Sequence, residues 1–304
     1  MVHLWQQKKR RNTVTTDNNS LDVLCKLIEN PHISLRVVAK DLNLSYSAVQ
    51  RISKKYKYHA YLSTRVQQLQ PTDYERLITF VAHMMVQLED DPTILEKIVW
   101  TDEARFHNNG TVNHHNTHYW SDTNSHWINE CNKQIRWGIN VWCCIINDRL
   151  IGPYFFENNL NGNSYLNFLK NELPLLIEDI SLDQRLNMIW QHDGAPAHNM
   201  LAVRALLDDI FNSKWIGTQG STILWPPRSP DMNVLDFYFW GFLKGEVYKE
   251  ESNNINDLKN RIVEICNKIP SSVLKKATTS EVTKRLSLCL DMDGNHFEHL
   301  LKYQ

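Results

Sequence analysis

The twelve residues from Asn187 to His198, NMIWQHDGAPAH, constrain the fold of this 304-residue chain more than any other stretch. Met188, Ile189 and Trp190 form a short apolar run that reads as a buried strand. It delivers Asp193 to the strand's end, and Gly194 and Pro196 then turn the chain toward a helix. That helix would point Val203, Leu206, Leu207, Ile210 and Phe211 inward. An acid at the tip of a central strand is held by rigid backbone and faces the open sheet edge, where α/β sheets keep their ligands.

Two other stretches supply acids that can meet it. Lys97–Trp100 is a short β-prone run ending at Thr101-Asp102-Glu103. His118–Trp120, Gln134–Ile146 and Gly152–Phe156 read as further strands, antiparallel through their short links. Asn163–Ile180 has the period of an amphipathic helix, and Ser221–Trp225 reads as one more strand. Strands first, then helix and strand in alternation, predict a mixed α/β sheet. No GxGxxG or GxxxxGK[ST] run occurs, so nucleotide binding has no support. Beyond Trp225, Ser229-Pro230 resembles an N-cap followed by a first-turn proline, and Asp231 gains enough from the helix dipole to be structural. Asp236 lies among Leu235, Phe237, Tyr238 and Phe239. An acid there is costly unless a metal or Lys244 neutralises it, or it faces the surface. Asp102, Asp193 and Asp236 on separate elements suit hard divalent cations, although spacing alone is weak evidence in a chain with 34 acids.

The front of the chain has a different character. Up to residue 60 there are 11 Lys/Arg against 4 Asp/Glu, net +7, while the remainder carries −8. A basic front on an acidic body suits a polyanionic partner. Residues 1–19 read as a disordered basic arm in which Lys8, Lys9, Arg10 and Arg11 contact phosphate or direct nuclear import. Residues 20–56 read as three short helices. The last opens at Ser45 and packs Ala48, Val49 and Ile52 inward, the layout of a helix-turn-helix module. Its outer face would present Tyr46, Ser47, Gln50, Arg51 and Lys54, residue types that read bases or hold phosphates. Residues 57–94 form a linker and a helix, 95–250 the sheet domain, and 251–304 further helices. Neither a signal-peptide core nor a membrane-spanning run occurs, which points to an intracellular protein. The six scattered cysteines, without a CxxC, read as reduced core thiols.

The stretches TDEARF, HDGAPAH and WPPRSPDMNVLDFYFWG, in that order, resemble the mariner-superfamily DNA transposases, with the likeness running from about residue 20 to 250. The resemblance implies an RNase H-like catalytic domain behind a helical DNA-binding module. Asp102, Asp193 and Asp236 match the family's three metal-binding acids. It further implies two Mg²⁺ or Mn²⁺ ions, binding to double-stranded transposon ends and target DNA as a homodimer, strand cleavage and strand transfer, and a nuclear location. Only one helical module is evident where the family usually carries two. Val234 replaces a common proline, and the gap of 43 positions from Asp193 to Asp236 exceeds that of the best-known mariner branch. The competing readings are a host-adopted DNA-binding protein without catalysis, and a zinc site from His192, Asp193 and His198 or from His114, His115 and His118. On this reading Glu103 and Asp231 are structural acids.

Overall fold

A computed structural model describes residues 17–60, 68–108, 137–220 and 222–301. Lys8, Lys9, Arg10, Arg11, His114, His115 and the strand expected at His118–Trp120 lie outside them. The chain divides into two compact units, residues 1–65 and 66–304.

The first unit holds α1 (Asp17–Glu29), α2 (Leu35–Asp41) and α3 (Tyr46–Lys55). The serine before each of the last two helices does the capping. Ser34 Oγ accepts from Val37 N–H and Ser45 Oγ from Ala48 N–H, satisfying donors that a helix start otherwise leaves open. Between them Asn43 takes φ 51°, a left-handed turn that asparagine tolerates. Val23, Val38, Ala39, Val49 and Ile52 form the core. Small Ala39 lets the turn close, its carbonyl accepting from Leu44 N–H. All five residues expected on the outer face, Tyr46, Ser47, Gln50, Arg51 and Lys54, are exposed.

The second unit is built on a six-stranded sheet of order β3-β2-β1-β4-β5-β6. Its strands are β1 (Ile98–His107), β2 (Gly138–Ile146), β3 (Arg149–Phe156), β4 (Ile189–Gln191), β5 (Trp215–Gly217) and β6 (Ile223–Leu224). The first three run antiparallel; β1, β4, β5 and β6 are parallel neighbours. This is the order of an RNase H-like sheet, as the resemblance implied. The expected antiparallel start is present, whereas β5 is a strand that the sequence pattern did not reveal. Its three residues are too few to show a period.

Side-chain alternation sorts β1 and β2 between two faces. Trp100, Ala104, Phe106, Val141 and Cys143 enter one core, and Val99, Trp142 and Cys144 the other. The adjacent cysteines thus point opposite ways, and all five described cysteines are free thiols. The first core is covered by α4 (Pro71–Asp90), α5 (Ile94–Lys97), α10 (Trp240–Val247), α11 (Ile255–Cys266), α12 (Ser271–Lys276) and α13 (Val282–Asp291). Leu77, Phe80, Leu258, Ile262 and Leu286 share that core, so the helix before the sheet and those at the C-terminal end belong to one packed body. The second core lies under α6 (Gly162–Asn167), α7 (Leu173–Leu176) and α9 (Leu201–Ile210), with α8 (Leu182–Asn187) leading into β4. Trp100, Trp142, Trp190 and Trp215 are almost fully buried beside the strand ends. Each contributes several kcal/mol by burial, at roughly 25 cal/mol per Å² of apolar surface removed from water, which holds those ends rigid.

Four expectations change in the structure. α1 begins at Asp17, inside the stretch 1–19 expected to be disordered, with the Asp17 carboxylate in its first turn, where the helix dipole favours a negative charge. The single helix over Asn163–Ile180 is interrupted by a π-helical segment, Phe168–Glu172, where Leu173 N–H reaches back to Phe168 C=O. Pro174 has no N–H to give, so the regular ladder cannot continue through it. The helix after Asp193 does not begin at the Gly194–Pro196 turn but at Leu201. Ser229 is not a side-chain cap: its hydroxyl donates to Pro227 C=O, and Pro230–Met232 forms only a 3-10 turn.

Candidate active site

Asp102 lies on β1 facing the α10 side, and its partner acid comes from the chain beyond β6. There Asn233 does two jobs. Its Nδ2 donates to Thr101 C=O at 3.1 Å, and its Oδ1 accepts from Leu235 N–H at 2.9 Å. The start of the next helix is thereby pinned one residue away from Asp102. That helix opens with a π-helical turn, Leu235–Phe239, and continues as α10. Asp236, Trp240 and Lys244 recur every four residues and so share one helix face.

This face meets Asp102. Trp240 Nε1–H donates to Asp102 Oδ2 at 2.7 Å, and Asp236, one turn before Trp240 on the same face, is near enough for its charge to act on Asp102. Burial, then Asp236 and Glu103, push the Asp102 carboxyl well above the usual range. Lost hydration, with repulsion from Asp193 next, raises Asp236 to about 6, although its side chain keeps an open side to solvent. Lys244 is attracted by both acids, but burial depresses its own pKa. It also lies 5.6 Å over the Phe106 ring. Two neighbouring carboxyls, both reluctant to ionise, are short of positive charge.

Asp193 leaves the sheet two residues beyond β4. Thr101 Oγ1 donates to Gln191 C=O at 2.7 Å, locking the strand end beside β1. Asp193 Oδ1 accepts from Ala195 N–H at 2.9 Å and from His198 Nδ1 at 2.8 Å. Burial works against its charge, but His198 outweighs it and holds the carboxyl below the ordinary value. The other nitrogen of His198, Nε2, meets the Glu103 carboxylate at 3.3 Å. Burial disfavours the imidazolium, yet Glu103 and Asp193 together raise His198 to about 10, so the ring is charged at neutral pH. Neighbouring His192 is pushed the other way, first by burial and then by His198, and stays neutral.

The three sequence-predicted acids therefore lie at one end of the sheet. Asp236 and Asp193 both act on Asp102 through their charge, Asp236 the more strongly, and Asp193 acts on Asp236 as well. Among the described residues no three His, Cys, Asp or Glu side chains converge to metal-ligating distance. This holds for Asp102, Asp193 and Asp236 as well as for His192, Asp193 and His198; what speaks against zinc at the latter set is that both nitrogens of His198 already serve carboxylates. Glu103 contacts that histidine from the opposite face of β1, and Asp231 is an acid raised to about 6 chiefly by burial. Trp240 and His198 were not recognisable as partners of the acids. The four-residue recurrence through Asp236, Trp240 and Lys244 was the available signal for the first. For the second, a five-residue offset is awkward on a helix, but the chain from His192 to Met200 is not helical.

The donor set fits a hard divalent cation. It consists of carboxylate oxygens, and Mg²⁺ is usually held by one or two protein carboxylates with the remaining positions left to water or substrate phosphate. A cation at the Asp102–Asp236 pair would relieve the repulsion that otherwise keeps a proton there.

Sheet order and acid placement together define an RNase H-like domain. No protein-family model and no curated protein sequence matches the chain. Its fold is that of Mos1 transposase. A pre-cleavage Mos1 transpososome aligns with a TM-score of 0.73 and 16% identity over 96% of this chain and 82% of that one. The Mos1 strand transfer complex gives 0.71 and 17% over the same shares. The Mos1 catalytic domain solved with Raltegravir and Mg gives 0.60 and 17% over 76% of this chain and all of that one.

Proposed function

We propose that this chain is a mariner-type DNA transposase that binds transposon ends and carries out divalent-metal-dependent strand cleavage and strand transfer. The observation that carries the reading is the Asp102–Asp236 carboxyl pair, at the sheet end where Asp193 leaves β4. Asp102 and Asp236 would hold the metal, with Asp193 completing the donors. A pair of such ions activates the attacking oxygen and stabilises the leaving one in an in-line displacement. The chain's own contribution is to hold those oxygens still. Asn233 fixes the helix start, Trp240 fixes one oxygen of Asp102, and Lys244 offers a cation to a phosphate approaching the open side of Asp236.

In this reading Gln50 and Arg51 face base edges, and Tyr46, Ser47 and Lys54 the backbone. Lys8, Lys9, Arg10 and Arg11 contact phosphate or carry the protein into the nucleus. Two copies act on a pair of DNA ends, as the paired-end complexes of Mos1 suggest. The test is incubation with terminal-repeat DNA, with and without Mg²⁺, scoring both shift and nicking. Asp193→Asn should retain the shift and lose Mg²⁺-dependent nicking. A shift without nicking by the unmodified protein would instead favour a non-catalytic DNA-binding protein.

A further inference from the structure

Across β1 from the acid pair, a second group of charges has no part in the reading so far. Glu103 points away from Asp102 because neighbouring residues on a strand face opposite sides. There it meets His198, whose side chain is 1% exposed and whose two ring nitrogens each face a carboxylate. The ring cannot easily rotate. Tyr165 packs against it with centroids 4.4 Å apart, and His192 stacks on it at 4.7 Å and 6°. The edge of Trp215 closes the pile behind His192 at 5.3 Å. A fixed ring can fix what it touches.

We propose that His198, anchored by Glu103, is a positioning residue that orients Asp193 toward the Asp102–Asp236 pair. His198 Nδ1 and Ala195 N–H both donate to Asp193 Oδ1, and no described residue hydrogen-bonds Oδ2. One oxygen is thus committed to the protein and the other is left for a ligand. Glu103 sets the ring from its far side, because the Nε2 contact stops the imidazole from flipping and keeps a donor at Nδ1. The brace therefore runs from the far face of β1 through the ring to the loop after β4. It joins two elements whose pairing in the sheet ends at Trp100–Gln191, before either Glu103 or Asp193 is reached.

The inference rests on the metal reading above, and the two fail differently. Mn²⁺ binding to the full chain is followed by electron paramagnetic resonance, alongside metal-free binding to end DNA. His198→Ala should weaken Mn²⁺ binding roughly 10- to 100-fold, the usual effect of removing a group that orients a ligand. DNA binding without metal should be unchanged. His198→Asn, whose amide can still donate to Asp193, should recover part of the loss. Should His198→Ala fail to fold, Glu103→Gln decides, since it keeps the volume and weakens only the anchor. Native Mn²⁺ affinity in a folded His198→Ala, or in Glu103→Gln if the alanine variant does not fold, overturns the brace while leaving the metal site standing. Absence of Mn²⁺ binding in the unmodified protein, equal to that of Asp102→Asn, overturns both.

Discussion

Asp102 shows how one side chain's surroundings set its chemistry. Its carboxyl has lost water, faces Asp236, and receives a single strong donor from Trp240. Trp240→Phe keeps the ring in its pocket and deletes only the N–H. Mn²⁺ affinity should fall roughly tenfold, because the lost hydrogen bond orients a ligand oxygen and its removal is felt in binding. A calorimetric titration checks it. Asp73 makes the complementary case away from the site. Its buried carboxylate takes two hydrogen bonds from Arg228 and one from Gln70 N–H, and Arg228 foremost lowers its pKa. A depressed carboxylate contributes stability above its unfolded pKa and loses it as pH falls through the folded one. Asp73→Asn should therefore be the less stable protein at pH 7, with the gap beginning to narrow near about pH 4 and closing only as the pH falls through the lowered folded pKa. Urea unfolding at the two pH values measures this.

At the scale of elements, the shortest pieces do the positioning. β5 has three residues, yet it carries Trp215 behind His192 and brings Gly217 under the same ring. A Cβ at Gly217 would come within 2.6 Å of the Trp215 ring and 2.8 Å of His192. Gly217→Ala should cost about 1–3 kcal/mol, the usual range for overpacking, and displace His192. Chemical denaturation gives the first, and the shift of the His192 ring resonances gives the second. The π-helical turn before α10 has a comparable role, because it delivers Asp236 and Trp240 together to Asp102. In the first unit α3 depends on its cap. Ser45→Ala should cost about 1 kcal/mol and speed amide exchange in the first turn of α3, which hydrogen-exchange mass spectrometry resolves.

The whole molecule is close to neutral, but its charge is divided. The first 60 residues carry +7 and the rest −8, so on the proposed function the attraction to DNA belongs to the front and the body adds none by net charge. Affinity for end DNA should fall steeply with salt, and Lys54→Ala should reduce the slope of log K against log[salt] by about 1 if that lysine holds one phosphate. Electrophoretic titration at several salt concentrations tests this. An unchanged slope would take Lys54 out of the interface.

Much of this was already present in the chain's order of residues. Apolar period and capping serines determined α1 to α3 and the exposure of Tyr46, Gln50 and Arg51, because helix signals act within a few residues. The run before Asp193 determined a buried central strand, and alternation determined that Cys143 and Cys144 part company. Motif order brought Asp102, Asp193 and Asp236 forward as one set. What only the tertiary structure decided was how those acids act on one another, and what stands behind them. The approach of Asp236 to Asp102, the donor from Trp240, and the reach of His198 to Glu103 across 95 positions depend on strand register and on how a helix is pinned to a sheet. Such distances are set by packing between remote segments, and no local pattern encodes them.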